Sequence, residues 1–292
     1  MENIDLHIHS NFSDGKLSPK EIIDIAIKNK IQTISITDHD GIDAYTSDII
    51  NYAKKNNINL IKGIEISTTY KKCGIHVLGY NIDINNKKFQ KKIKDLKNAR
   101  HIYLKEVSKK LEENGYVINT QKLDKIESVT KAHIALDIIE NNEEILLKQY
   151  GHIPAKGEFI ETIMNEGCKC YVKKNTISPK EASDLIKSVG GKVVLAHPVA
   201  YKYENNIESK EILELLKEMN CNAIEGNYIY IDKNNQEINE IDYWNKFAQE
   251  NNLISTIGSD FHLEDGIRPL IGFKNKNIKV SNIDKILEYL EQ

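Results

Sequence analysis

The sequence predicts an α/β fold in which strands alternate with helices, pair in parallel and close as a barrel. Two observations predict it. Short β-rich runs recur along the chain with helical patterns of about 10–15 residues between them, the rhythm of βαβ units, and about six or seven such units most often close as a barrel. Histidines and carboxylates then stand at or just past the ends of those runs, on the rim where such barrels gather their functional groups.

The first run, Asp5-Leu6-His7-Ile8-His9, sets the pattern. Side chains of a strand alternate, so Asp5, His7 and His9 point one way, while Ile4, Leu6 and Ile8 offer an apolar face. A polar turn, Ser10 to Gly15, follows. Ser18-Pro19-Lys20-Glu21 opens a helix, with Ser18 at the N-cap, Pro19 at the first helical position and Glu21 closing a capping box. Ile22, Ile23, Ala26 and Ile27 form its stripe. Thr33 to Thr37 is the next strand and ends abruptly at Asp38-His39-Asp40-Gly41. A helix to about Lys55 precedes the strand Leu60 to Ile66, which delivers Glu65 near its end. Gly74 to Tyr80 reads as another strand and carries His76.

The pattern then changes. Lys87 to Leu111 reads as one long helix capped by Asn114-Gly115, and mostly helical sequence continues to about Gly167. Residues 84–170 are therefore read as an inserted subdomain, with 1–83 and 171–292 as the catalytic barrel. Ser178-Pro179-Lys180-Glu181 repeats the earlier helix start and leads into the strand Lys192 to Leu195, with Ala196-His197-Pro198 at its end. Asn222 to Glu225 and Leu253 to Ile257 are further strands, with a helix near Gln236–Glu250 between them. The last strand runs into Gly258-Ser259-Asp260-Phe261-His262, and a helix from about Asn282 closes the chain.

At 292 residues, 40% hydrophobic and 28% charged, the chain has ample material for a core. Its net charge of -3 gives no global field for nucleic acid. No apolar run approaches the roughly 18–20 residues of a membrane helix, and the start of the sequence lacks the basic and apolar regions of a signal peptide. A cytoplasmic protein with no membrane partner and no stable duplex nucleic-acid partner is expected. Cys73, Cys168, Cys170 and Cys221 form no C-x-x-C pair. Cys168 and Cys170 read as small core residues rather than as a soft-metal site. There is no Gly-rich phosphate loop of the G-x-x-x-x-G-K-[ST] kind and no nucleophile elbow.

Nine histidines are present, and six of them (His7, His9, His39, His76, His197, His262) fall at or just after predicted strand ends. Asp14, Asp38, Asp40, Glu65 and Asp260 accompany them. An isolated H-x-H pair is a weak signal, but six such histidines on one rim point to a multinuclear metal site. Mixed imidazole and carboxylate ligands suit Zn, Mn or Fe, with Mg possible.

Asp5-Leu6-His7-Ile8-His9, Ser13-Asp14-Gly15, Thr37-Asp38-His39-Asp40, Gly63-Ile64-Glu65, His76, Ala196-His197-Pro198 and Gly258-Ser259-Asp260-Phe261-His262 together resemble the PHP (polymerase and histidinol phosphatase) family. The likeness is greatest to its stand-alone phosphoesterases, which include nucleoside 3′,5′-bisphosphate phosphatases and 5′-to-3′ nucleases of short RNA. The resemblance implies a distorted (β/α)7 barrel with two or three divalent metals. It implies that His7, His9, Glu65 and Asp260 hold one metal and act in catalysis through its water. Glu65 would bridge to a second metal completed by His76 and His197, and Asp14, His39 and His262 would hold the third. Asp5 and Asp38 read as acceptors that orient ring nitrogens. Paired metals of this kind activate water and clamp phosphoryl oxygens during in-line displacement.

In the predicted long helix the apolar stripe Phe89, Ile93, Leu96, Tyr103, Val107, Leu111 is interrupted by Arg100 at an inward position. Such an arginine either snorkels with its stem packed or binds an anion. Val129, Ala132, Leu136 and Ile139 read as a second stripe containing His133. Arg100 and His133 match residues that contact substrate phosphate in the nucleotide-directed relatives, but Lys131-Ala132 replaces their Arg-Pro. Lysine keeps the charge and loses the bidentate fork. Arg268 is a further candidate anion ligand. Residues 87–110 hold ten Lys or Arg against two acids, a local +8 that reads first as a solvated face and second as a basic lid. The expected activity is hydrolysis of a phosphate ester on a small nucleotide or on the 5′ end of short RNA. Alternatives are a phosphatase of histidinol phosphate or another small metabolite, and a metal-bound regulatory module without turnover. The oligomeric state is left open by the sequence.

Overall fold

Residues 3–71, 73–126, 129–173, 175–232, 234–276, 278, 280 and 282–291 are described by a computed structural model. The chain divides into two compact units, Met1–Lys91 with Ile177–Gln292, and Lys92–Thr176. The second unit begins and ends later than the 84–170 read from the sequence, and its first boundary falls inside one continuous helix, Lys87–Glu113.

In chain order the first unit begins with β1 (Ile4–Ile8), α1 (Pro19–Lys28), β2 (Thr33–Ile36), α2 (Ser47–Lys55), β3 (Asn59–Tyr70) and β4 (Cys73–Tyr80). Then α3 (Lys87–Glu113) crosses the division. The second unit continues with α4 (Thr120–Leu123), α5 (Lys131–Asn141), α6 (Glu143–Tyr150) and α7 (Lys156–Phe159), which passes into a π turn at Ile160–Met164. The first unit resumes with α8 (Pro179–Lys187), β5 (Lys192–Leu195), α9 (Pro198–Asn205), α10 (Ser209–Glu218), β6 (Ala223–Asn227), β7 (Ile229–Ile231), β8 (Glu237–Asn239), α11 (Ile241–Glu250), β9 (Ile254–Ile257) and α12 (Ile283–Glu291).

Among the described residues seven strands make one sheet in the order β1-β2-β3-β4-β5-β6-β9. Parallel pairing throughout, expected from the sequence, fails at one strand. β4 runs antiparallel to both β3 and β5, while the other four pairs are parallel. The physical reason is the connection: only two residues separate β3 from β4, too few for the crossover that parallel neighbours need. β3 is also longer than expected, reaching Tyr70. Glu65 therefore lies inside a strand, and so does His76. Because β4 is reversed, His76 near its start still reaches the edge where the parallel strands end.

Local signals act as expected at both Ser-Pro-Lys-Glu starts. Ser18 and Ser178 each accept from the third residue of their helix while Glu21 and Glu181 reach back, so both capping boxes are formed. The helix expected near Gln236–Glu250 starts later, because Glu237–Asn239 pairs with Ile229–Ile231 as a hairpin. Ile4 and Leu6 join Leu78, Tyr80, Val194, Ala223 and Ile257 in one apolar core, each such burial contributing about 1.5–3 kcal/mol. In the second unit Tyr103, Val107 and Leu111 of α3 pack with Ile134, Ala135, Ile138, Phe159 and Met164. The buried face of α5 is thus Ile134, Ala135 and Ile138, and the stripe read through Ala132 and Leu136 is corrected: Leu136 is exposed. No helix among the described residues is long and apolar enough to cross a membrane.

Candidate metal centre

The carboxyl end of β1 delivers His7 and His9, both fully buried. The chain then curls back through the hydrogen bonds Ser13 N–H to Ser10 O and Gly15 N–H to Ser10 O, both 3.0 Å. A Cβ on Gly15 would fall 2.1 Å from His9 O, so only glycine lets this loop close and present Asp14. Asp38, just past β2, locks the loop by accepting from Ser10 N–H (2.8 Å), Ser10 Oγ (2.6 Å) and Ser13 Oγ (2.6 Å). His39 pairs with Glu65 in a parallel bridge.

Glu65 is the hub. One of its oxygens, Oε1, lies 3.0 Å from His76 Nδ1 and 3.3 Å from His197 Nε2. The other, Oε2, lies 3.0 Å from His39 Nδ1, 3.2 Å from His9 Nε2 and 3.4 Å from His7 Nε2. Asp260 Oδ1 faces the same pair of rings, 3.3 Å from His7 Nε2 and 3.1 Å from His9 Nε2, and the two Nε2 atoms are 3.1 Å apart. On the other side of His9, Asp14 Oδ1 lies 3.5 Å from His9 Nδ1 and 3.3 Å from His262 Nε2, and Asp14 Oδ2 lies 3.7 Å from His39 Nε2. All nine residues singled out from the sequence as ligands come together. Three overlapping groups have their donor atoms close enough to share a cation: His9 with Asp14, His39 and His262; His7 with His9 and Glu65; and His39 with Glu65 and His76.

The donor set fits divalent metals on chemical grounds. Asp14 Oδ1, Glu65 Oε2, His39 Nδ1 and His76 Nδ1 are buried without a hydrogen-bond partner, although acids and rings face one another at close range. Orphaned buried polar atoms cost free energy, and a cation between them removes that cost. Two of the contributing residues, His197 (φ 22°) and Asp260 (φ 51°), hold left-handed backbone conformations, the kind of strain that persists where a site demands it.

Burial is the largest influence on His7, His9, Asp14, His39 and Glu65, and the charges around them decide where it is overcome. Burial alone would lower His9, but Asp260, Glu65 and Asp14 push it up to about 10. His7 likewise stands well above the usual imidazole range, since Glu225, Glu65 and Asp260 outweigh burial. His39 falls to about 4 because burial dominates and its carboxylates only partly compensate. Glu65 and Asp14 sit well below the usual carboxylate range, their surrounding rings overriding burial. Without metal, then, the carboxylates favour the protonated forms of His7 and His9.

The acids expected to orient rings do something else. Asp5 accepts from Ser259 N–H (3.0 Å), Ser259 Oγ (2.6 Å), Gly272 N–H (2.8 Å) and His7 N–H (3.3 Å), all peptide or hydroxyl donors. It ties the start of the chain to the loop after β9. Asp38 reaches the His9 ring through Ser13, whose Oγ donates to Asp38 and is 3.3 Å from His9 Nδ1. The acid at the His7 ring is Glu225, in the middle of β6, with both oxygens 3.0 and 3.1 Å from His7 Nδ1. Sequence reasoning passed over it, although an acid closing a β run was the same signal that marked Asp38. Tyr228 and Tyr201 were missed as well. Tyr228 donates to Asp260 Oδ2 (3.1 Å), and Tyr201 accepts from His76 N–H (2.8 Å) beside the His197 ring.

Of the residues singled out for substrate, Arg268 belongs to the first unit and Arg100, Lys131 and His133 to the second. Arg268 in the first unit pairs with Asp265 at 2.7 Å. In the second, Arg100 is 2% exposed, and its Nη1 donates to Val129 O (3.1 Å). Lys131 donates to Asn165 (3.0 Å), and His133 Nδ1 accepts from Thr130 N–H (3.0 Å) in the capping box of α5. Cys168 and Cys170 belong to none of the candidate metal groups; their thiols face the carbonyls of Glu161 and Lys110.

Comparison with known proteins adds a family, two relatives by sequence and one structure of similar fold. The sequence profile of the PHP domain matches residues 5–220. A 5′-3′ exoribonuclease of Haemophilus influenzae is 29% identical over 264 residues, covering 90% of each chain. A 3′,5′-nucleoside bisphosphate phosphatase of Chromobacterium violaceum is 24% identical over 266 residues, 90% of this chain and 88% of that one. A crystal structure from Bifidobacterium adolescentis, described as a candidate metal-dependent phosphoesterase, superposes with a TM-score of 0.75 at 18% identity, over 99% of this chain and 96% of that one. That structural likeness concerns the fold.

Proposed function

The chain belongs to the PHP domain family, and we propose that it is a metal-dependent phosphoesterase acting on a small nucleotide, a nucleoside 3′,5′-bisphosphate or the 5′ end of short RNA. The observation that carries this reading is Glu65, whose two oxygens lie within 3.0–3.4 Å of five imidazoles. Divalent ions at such a cluster supply charge neutralisation for phosphoryl oxygens and an acidified water for attack at phosphorus. Two or three ions (Mn, Zn or Fe, with Mg as a further option) suit the three overlapping groups of donors. Glu65 would join two of the positions, His7, His9 and Asp260 would complete one, His76 and His197 another, and Asp14, His39 and His262 the third. Tyr228 restrains Asp260, and Tyr201 restrains the His76 backbone. A single parallel bridge from Ile8 to Phe261, with His9 N–H donating to Phe261 O (2.9 Å), supports a sheet rolled into a distorted (β/α)7 barrel.

The relatives named above support the nucleotide as substrate class. Arg100, Lys131 and His133 of the second unit, with Arg268, are the residues we assign to a further phosphate. The test is a panel of metal-loaded protein against a nucleoside 3′,5′-bisphosphate, a 5′-phosphorylated short RNA and histidinol phosphate. The nucleotide substrates are expected to show the higher kcat/KM, and His7→Ala and Asp260→Ala to abolish turnover. Absence of phosphate or nucleotide release with Mn or Zn would overturn the proposal. A preference for histidinol phosphate would move it to the small-metabolite phosphatases.

A further inference from the structure

We infer that Glu225 is a positioning residue that holds two metal-binding histidines at once, one in each of two neighbouring ion positions. The inference rests on the metal-centre reading above. Glu225 is 1% exposed and stands in the middle of β6, a strand that supplies none of the nine candidate ligands. Both of its oxygens lie against His7 Nδ1, at 3.0 and 3.1 Å. Its Oε2 also accepts the backbone N–H of His197 at 3.0 Å.

With Oε2 already accepting from a peptide, the ring nitrogen of His7 is the donor. The Nδ1–H of His7 is thereby held on Glu225, which leaves Nε2, facing His9, Glu65 and Asp260, as the nitrogen a metal would take. The second contact acts on backbone. His197 sits at φ 22° and ψ 63° immediately before Pro198 opens α9, and its amide anchored on Glu225 keeps that strained residue aiming Nε2 at Glu65, 3.3 Å away. The carboxylate therefore couples the ring of one ligand to the peptide of another: Oε2 faces both, and Oε1 adds a second acceptor at the ring. In Glu225→Gln an NH2 group replaces one of these oxygens, so a donor meets His7 Nδ1–H if it takes the Oε1 place, and meets both His7 Nδ1–H and the His197 N–H if it takes the Oε2 place.

The experiment measures metal stoichiometry, affinity and the visible spectrum of the Co(II)-substituted protein for wild type, Glu225→Gln, Glu225→Asp, His7→Ala and the double variant. Glu225→Gln is expected to weaken metal binding about 10–100-fold and to change the Co(II) spectrum, while the metal-free protein keeps its melting temperature. In the His7→Ala background the further loss on Glu225→Gln should shrink to what the His197 contact supplies. If Glu225→Gln fails to fold, Glu225→Asp, which keeps two oxygens and shortens the reach, supplies the same readouts. Unchanged affinity and an unchanged spectrum in the folded variants would overturn the inference. Wild type that binds no metal would instead overturn the metal-centre reading.

Discussion

Replacing Gly258 by alanine tests whether the contact between the first and last strands of the sheet sets the metal centre. Gly258 follows β9, and a Cβ there would lie 2.1 Å from Glu225 Oε1, 2.2 Å from His7 Cβ and 3.1 Å from His7 N. Ordinary carbon contacts are about 3.5–4.0 Å, so the neighbours must move by more than 1 Å. They have little freedom to do so. The His7 atoms are backbone or one bond from it, and Glu225 is held by His7 and by His197 N–H. Overpacking of this kind costs typically ~1–3 kcal/mol, and a 1 Å misplacement at reacting groups costs ~100-fold in rate. Urea unfolding of the metal-free protein should show the stability loss. Competition with a chromophoric chelator should show metal binding at least ~10-fold weaker, about 1.4 kcal/mol. A variant with wild-type midpoint and wild-type metal affinity would refute the packing argument.

Other outcomes follow from the same coordinates. Metal affinity should tighten as pH rises from 6 to 9: His9, pushed up to about 10, and His7, also raised, carry protons that a metal must displace, whereas His39, near 4, carries none. Each displaced proton gives up to tenfold per pH unit, and chelator competition at several pH values with no slope would contradict this. Arg100→Ala should raise KM for a nucleoside 3′,5′-bisphosphate ~10–100-fold, the scale of a lost hydrogen bond to a charged group; an equal rise for a nucleoside monophosphate would remove Arg100 from recognition of the further phosphate. Leu6→Ala, at a fully buried side chain of the core behind the centre, should cost ~2–5 kcal/mol by denaturant titration. The Cys221 thiol, buried and pushed up to about 11, should resist alkylation at pH 8 in the folded protein while half-buried Cys73 and Cys168 react, as mass spectrometry of modified peptides would read directly.

The six strand-end histidines were legible because their signal is local, and the strand period alone places His7 and His9 on one side; the nine ligands were then picked out by the family resemblance, which passes over Asp38 and Asp40 although their local signal is the same. What stayed hidden depends on contacts across hundreds of residues. Glu225 meets His7 from 218 positions away, and nothing around Glu225 distinguishes it from an acid closing any strand. Asp5 looked like a ring-orienting acid because it stands two residues from a histidine. Its partners Ser259 and Gly272 arrive from the far end of the chain, and no local pattern announces them. The reversed strand stayed hidden for another reason: the runs Leu60 to Ile66 and Gly74 to Tyr80 look well separated in sequence, and only the extension of β3 to Tyr70 and of β4 back to Cys73 makes their connection a tight hairpin. In α5 the stripe was misplaced because Ala132 and Leu136 fit the helical period equally well, and packing in the second unit chose the neighbouring face.

The tie between Asp5 and Ser259 sets an order of events during synthesis. These residues are 254 positions apart, so at about 5–20 residues per second a ribosome takes ~13–50 s to make the second after the first. Throughout that interval β1 lacks the partner that closes its free side, and Asp260 and His262 do not yet exist. The histidines of the N-terminal third therefore wait as an incomplete set, and capture of metal at full strength is reserved for a chain whose last strand has emerged and docked.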